Sequence, residues 1–448
     1  MYFTRKIDGS LEKWMEDADH KPLLIRGARQ TGKTTAVRHL ARRFKSYIEL
    51  NFDEDDQLKF IFDGSYDIPA ICAQIETRTG QRIVPGQTLL FLDEIQACPR
   101  AISALRYFYE KCQPLHVIAT GSLLEFAFSE IADFGVGRIR NLFVHPFSFA
   151  EFADATGNGI ALEQARSSDL TKPVARLVHE QLLDCLKSFL VVGGMPAAVR
   201  KYVKTRSYVA AQEEQDDILV SLKADFGKYK KRIPPERVRA AFHSVIDQIG
   251  EKFVYTDARL GLDYRHAREC TDLLELARLV MRVSSCHANG VPLGADVSPK
   301  GNKFLVLDTG LYLRESGLDL SRWILDPAGK FVNRGKLAEL FVGLELKKGG
   351  SPFSDAPLYY WHREERGANA EVDYLVQHEN SVLPIEVKSG VSGSMKSLRL
   401  LMKEKGLGLG IRASEENLGR LDSIRIVPLY LIGELSRVLR QTGSDCSF

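Results

Sequence analysis

The stretch PLLIRGARQTGKTTAVRHL, residues 22–40, constrains the fold more than any other. A short apolar run ends at Gly27, a second glycine follows at Gly32, and a helical pattern begins at Lys33. Strand, tight loop and helix in that order begin a crossover unit, and such units build parallel sheets with helices on both faces. The rhythm repeats. SYIELNF (46–52), TLLFLDE (88–94) and LHVIATG (115–121) read as further strands, with helices expected over 33–44 and 99–112.

The loop GARQTGKT, residues 27–34, has the spacing G-x-x-x-x-G-K-[ST] in the strand-to-helix context that this motif needs. The residue types have a chemical reason. Two glycines let the backbone turn tightly, so that its N–H groups face phosphate oxygens. The helix that follows adds the positive end of its dipole. Gly27, Ala28, Arg29, Gln30, Thr31, Gly32, Lys33, Thr34 and Thr35 are therefore the expected contacts to ATP. Lys33 would reach the β- and γ-phosphates, and Thr34 would give its hydroxyl to Mg²⁺.

LLFLDEI ends a strand in two carboxylates. Asp93 is placed as the second Mg²⁺ ligand, and Glu94 to polarise an attacking water. The next strand ends at Thr120, a candidate sensor of the γ-phosphate. Arg138 and Arg140 follow a loop. They read either as transition-state arginines, acting in cis or from a neighbouring subunit, or as surface residues.

Beyond this region the pattern changes. Residues 151–225 are amphipathic over long spans and read as helical. From PPERVRAAFHSVIDQIG (234–250) the order is two short helices, a longer one and an alternating strand, as in a helix-turn-helix with a wing. KADFGKYKKRIPPERVR (223–239) sets seven Lys or Arg against two acidic residues. It leads towards a helix bearing Arg265, His266 and Arg268. These cations suit phosphate contacts with DNA; the alternative is a solvated helix end.

Composition narrows the partners. The 448 residues suggest about three domains. The apolar fraction of 44% and charged fraction of 27% are ordinary for a folded soluble chain. A net charge of +3 gives no bulk pull towards nucleic acid or membrane, so either must be argued locally. Seven scattered cysteines without a C-x-x-C pair fit reduced thiols in the cytoplasm and not a zinc site. With no signal-like apolar core and no apolar run of about 18 residues, no membrane span is expected.

Near the C-terminus, AEVDYLVQH and SVLPIEVKS are separated by a short polar turn and should form a hairpin. If the turn is Glu379-Asn380, Asp373 lies opposite Glu386, and Glu371 opposite Lys388. Facing carboxylates repel unless a cation sits between them, and oxygen ligands of this kind suit Mg²⁺ or Mn²⁺. A one-residue slip would send Asp373 and Glu386 to opposite faces. Pro384 hints at an edge or irregular strand. Glu339 sits in KLAELFVGLEL, a helix apolar almost all round, where a carboxylate needs a partner or a metal.

Taken together, LIRGARQTGKTT, LFLDEIQ, ATGSLLEF, GRIRNLFVHPFSFAEF, VGGMPAAV, DTGLYL, YYWHREERGANAEVDYL and PIEVKSG resemble a prokaryotic family of AAA-type P-loop ATPases. Its members carry a C-terminal domain related to the PD-(D/E)XK nuclease fold. The resemblance runs over nearly the whole chain in the same order. It implies an active site of Glu339, Asp373, Glu386 and Lys388. Asp373 and Glu386 would ligate the metal, Glu339 would help hold it or its waters, and Lys388 would position water or steady developing charge.

The expected fold is therefore α/β: a P-loop NTPase parallel-sheet domain (1–160), a helical lid region (161–230), a winged-helix-like domain (231–297) and a nuclease-like domain (298–448). The expected function is that of an ATP-binding and ATP-hydrolysing protein that acts on DNA, with a C-terminal site for Mg²⁺- or Mn²⁺-dependent phosphodiester cleavage. The alternative is a nucleotide-switched regulatory ATPase with a non-cutting scaffold. ATP and DNA are the expected partners, and self-association into a homo-oligomer is left open.

Overall fold

The computed structural model describes residues 1–128, 137–229, 233–257, 261–317, 334–363, 370–390 and 393–441. They form two compact units. The first comprises Met1–Pro146 with two short excursions, Leu276–Arg278 and Ser351–Asp355.

The first unit is built on β1 (Leu23–Arg26), β2 (Ser46–Asn51), β3 (Thr88–Asp93), β4 (His116–Thr120) and β5 (Arg140–Phe143). Their order is β2-β3-β4-β1-β5, and every neighbouring pair is parallel. Both faces are apolar because both are covered. Leu90 and Leu92 pack with Ile71, Ile102 and Leu105 in one core. Leu89 and Phe91 pack with Trp14, Val37 and Leu40 in another. Four strands match the sequence reading. β5 was not foreseen, because RNLF is short and only its last two residues are buried.

The second unit starts with helices Phe149–Thr156, Gly159–Arg166, Arg176–Val192, Pro196–Thr205 and Tyr208–Ala224, in the region read as helical. Its sheet has eight strands. These are β6 (Val280–Cys286), β7 (Val297–Val306), β8 (Leu358–His362), β9 (Glu371–His378), β10 (Ser381–Val387), β11 (Gly410–Ser414), β12 (Gly419–Leu421) and β13 (Ile424–Pro428). Their order is β12-β13-β11-β10-β9-β8-β6-β7.

The expected boundaries need correction here. A division at 297/298 would cut β7 at its first residue, yet β6 and β7 are antiparallel partners in this one sheet. β6 also pairs in parallel with β8, Val283 beside Leu358. Helices Pro235–Asp247 and Tyr264–Leu276 are present, but the strand expected to finish a separate winged helix, β6, belongs to the larger sheet. The short helix expected between those two falls partly on residues 258–260, outside the described residues. Likewise, 161–230 is not a unit apart, and the first unit's main segment ends at Pro146 and not at 160. Among the described residues, no helix is long and apolar enough to cross a membrane.

Pro384 lies inside the sheet, not at its edge, since β10 pairs with both β9 and β11. Alternation from the turn points the Pro384 nitrogen towards β11. The β10–β11 ladder begins only at Ile385 with Ile411, so the missing N–H interrupts no ladder bond.

Candidate functional site

In the first unit the loop after β1 is held before any phosphate is considered. A Cβ on Gly27 would stand 2.2 Å from the Val144 carbonyl oxygen, so only glycine fits. Gly32 has φ 94°, in the left-handed region that glycine tolerates, and caps the helix Lys33–Leu40. The Thr31 hydroxyl donates to the Ala28 carbonyl (2.9 Å). Arg5, buried, donates to the Thr31 carbonyl (3.3 Å) and the His145 carbonyl (2.8 Å), tying the loop to the N-terminal helix. Sequence reading gave Arg5 no role.

Lys33 is 7% exposed, and its Nζ donates to the carbonyls of Gly27 (3.0 Å) and Ala28 (2.8 Å). Burial lowers its pKa to about 8, against the pull of Glu94 and Asp93. Thr34 donates to Asp93 Oδ2 at 3.0 Å. This brings together the two groups expected to share Mg²⁺, from adjacent ends of β1 and β3 with β4 between them. Thr120 ends β4, and its hydroxyl is committed to Asp93 Oδ1.

Glu94 has φ 49°, an unusual backbone state for a residue with a side chain. Its Oε2 accepts from Gln96 Nε2 (2.6 Å) and Ser122 Oγ (3.3 Å). Neither partner was singled out in the sequence, although Gln96 stands two residues beyond Glu94. Thr35 is exposed and Ala28 buried.

Arg138 is a correction. It precedes β5, whose first residue pairs with Leu23 at the start of β1, so it lies at the opposite end of the strands from the loop after Arg26. Its guanidinium pairs with Glu110 and is half exposed. A cis role at the phosphates is excluded by that position. Arg140 lies over the Phe353 ring at 3.9 Å.

Two other arginines do stand beside the loop. Arg26 Nε donates to Glu125 Oε1 (2.9 Å), and Arg278 Nη2 donates to the same oxygen (2.7 Å). Arg278 also bonds Asp355 at 2.9 Å. Both guanidiniums lie over the Phe143 ring, at 5.1 and 4.8 Å. Arg278 is far away in sequence, so no local pattern could have placed it.

The second unit holds the carboxylate cluster. Ser381 pairs with His378, and the ladder runs to Ile385 with Tyr374. The turn is thus Glu379-Asn380, with Glu379 at φ 51°. One step beyond the ladder, Asp373 faces Glu386, as the two-residue turn required. The Val387 N–H donates to Asp373 Oδ2 at 2.7 Å. Glu386 Oε1 accepts from Lys388 Nζ at 2.7 Å, while its Oε2 is buried with no hydrogen-bond partner. Burial first, then the Asp373 charge, raises the Glu386 pKa to about 7. Burial raises Asp373 as well.

Glu371 does not meet Lys388. Lys388 has left the β9–β10 pair, its N–H donating to the Ala413 carbonyl (2.8 Å). Glu371 bonds instead to Lys303 on β7, which also donates to Glu339 Oε1 at 2.8 Å. Glu339, on helix Arg334–Gly349, is pushed up to about 8 by burial and then by Asp373. The Tyr374 hydroxyl donates to the Glu339 backbone carbonyl (2.8 Å), fixing that helix over the sheet. Lys303 carried no expected role in the sequence. The signal was there: within KFLVLD it shares an alternating face with Leu305.

Asp373 and Glu386 supply two oxygen-donor side chains and one unpartnered buried oxygen, which fits a hard cation. Among the described residues, no group of three or more His, Cys, Asp or Glu is arranged to hold a metal. Such a cation would therefore take the rest of its shell from water or a phosphate, the usual habit of Mg²⁺.

Comparison with known proteins agrees with the first unit. Residues 19–153 match the AAA domain family. Residues 183–322 and 334–432 match two domains of unknown function, DUF8612 and DUF4143. No curated protein matches the chain. A Walker-type ATPase of Pyrococcus abyssi is 13% identical, over 70% of this chain and 96% of that one, with a TM-score of 0.45. The Orc1 protein of Aeropyrum pernix in complex with DNA is 11% identical, over 70% and 93%, with a TM-score of 0.30. Likeness at that level assigns no residue. The family match and the geometry of the loop make residues 19–153 an AAA-type P-loop ATPase domain.

Proposed function

We propose that this ATPase acts on DNA and that its second unit cleaves phosphodiester bonds with one bound Mg²⁺ or Mn²⁺. What carries this reading is the hairpin register, which sets Asp373 against Glu386 with Glu386 Oε2 buried and unpartnered. Asp373 and Glu386 would hold the ion, which supplies Lewis-acid polarisation of the phosphate and an activated water. Lys388, 2.7 Å from Glu386 Oε1, would steady negative charge that develops at phosphorus. In the first unit, Lys33 would hold the phosphates of ATP, Thr34 and Asp93 its Mg²⁺, and Glu94 the attacking water.

DNA contact rests on Arg265 and Arg268, both exposed on helix Tyr264–Leu276. The basic run before it is weaker than its count suggests. Lys223 pairs with Glu315 (2.7 Å) and Lys228 with Asp225 (2.9 Å), while Lys230, Lys231 and Arg232 lie outside the described residues.

A second reading has one observation in its favour. Lys303 already neutralises Glu339 and Glu371, as it would in a scaffold that does not cut. A cleavage panel separates the two. Single-stranded, duplex and branched DNA are incubated with wild type and Glu386→Ala, with and without ATP and Mn²⁺. Cleavage by wild type alone supports the first reading; no cleavage of any form supports the scaffold.

A further inference from the structure

Lys303 is an unusual residue for the inside of a sheet. Its side chain is 3% exposed, and its ammonium contacts both Glu339 and Glu371. The ring of Tyr360 lies 5.2 Å beneath it. A buried ammonium pays a large desolvation cost unless several anionic partners compensate it, so this one is held in place by its surroundings. It also stands where charge is needed. Glu339, Glu371, Asp373 and Glu386 crowd one region, and the Asp373 charge acts on both Glu339 and Glu386.

The cluster divides into two halves. Lys303 serves Glu339 and Glu371, through two contacts to its Nζ. By contact the other pair is served by Lys388, which touches Glu386 Oε1 and leaves Oε2 without a partner, although the Lys303 charge also reaches Asp373. The ammonium of Lys303 thus occupies two of the four carboxyl groups, and the unpartnered oxygen lies on the other pair.

We propose that Lys303 is a built-in cation that takes the place of a second divalent metal, so that the centre binds one Mg²⁺ or Mn²⁺ and not two. This rests on reading Asp373 and Glu386 as metal ligands. Lys303 acts by occupying Glu339 and Glu371, so that neither is available as a ligand.

The test is Mn²⁺ titration of the full chain without nucleotide, with free Mn²⁺ read by electron paramagnetic resonance. Wild type, Lys303→Met and Asp373→Asn are compared. The expected result is one Mn²⁺ per chain in wild type, its loss in Asp373→Asn, and a second Mn²⁺ in Lys303→Met. Two Mn²⁺ in wild type would overturn the inference and leave the metal-centre reading standing. One Mn²⁺ in both wild type and Lys303→Met would do the same. No Mn²⁺ in wild type would overturn both. If Lys303→Met does not fold, the wild-type count with its Asp373→Asn control still decides between one ion and two.

Discussion

Lys33 shows how one residue can be read twice. From sequence it is the lysine of a phosphate-binding loop; in the fold it is buried, bonded to two loop carbonyls, and lowered to about pH 8. Phosphates bind the charged form. Nucleotide affinity is therefore expected to be flat below pH 8 and to fall above it, by up to about tenfold per pH unit. Titrating a fluorescent ATP analogue between pH 6.5 and 9.5 checks this. Lys33→Ala should remove the binding and, with it, the pH dependence. Gln96 makes a separate case. Its amide holds Glu94 at 2.6 Å, so Gln96→Ala should lower kcat for ATP by roughly ten- to a hundredfold through misplacement of Glu94. Nucleotide affinity should stay unchanged, and steady-state hydrolysis beside a binding titration separates the two effects.

At the scale of elements, the hairpin was legible because a two-residue turn leaves one register. Alternation then put Asp373 and Glu386 on one face, and the ladder from Ser381–His378 to Ile385–Tyr374 agrees. What sequence could not give was the partner of Glu371. Local counting offered Lys388, but β10 ends at Val387 and the ammonium that arrives comes from β7, across β8 and β6 in the sheet. Contacts between distant segments have no period to read. The same holds for Arg278 beside Glu125, and for Arg5 under the phosphate loop. Tyr374 joins the hairpin to the helix Arg334–Gly349 through its hydroxyl. Tyr374→Phe leaves a backbone carbonyl without that donor and should cost about 1 kcal/mol. Denaturant unfolding of the variant, followed by circular dichroism, reads that loss.

Over the whole molecule, alternation of strands and helices foretold the parallel sheet, and amphipathic spans foretold the helices that follow. The division of the chain was less legible. A helix-turn-helix rhythm suggested a separate winged domain, yet β6 and β7 complete an eight-stranded sheet with segments more than fifty residues further on. Sequence order marks where elements begin, not which sheet they join. DNA affinity should depend on the exposed pair Arg265 and Arg268. Charge reversal of both is expected to weaken binding and to reduce the slope of log affinity against log salt by up to about two. An unchanged slope would move the contact elsewhere.

The cutting centre proposed at Asp373 and Glu386 shares its chain with an AAA-type domain. The most direct measurement is the rate of Mn²⁺-dependent cleavage of end-labelled DNA by wild type and by Asp373→Asn, purified side by side. Cleavage by wild type is expected, with a loss of at least about a hundredfold in the variant, since removing a ligand costs no less than the ten- to hundredfold lost with an outer-shell partner. Equal rates in the two preparations, or no cleavage by wild type with Mn²⁺ and ATP present, would contradict it.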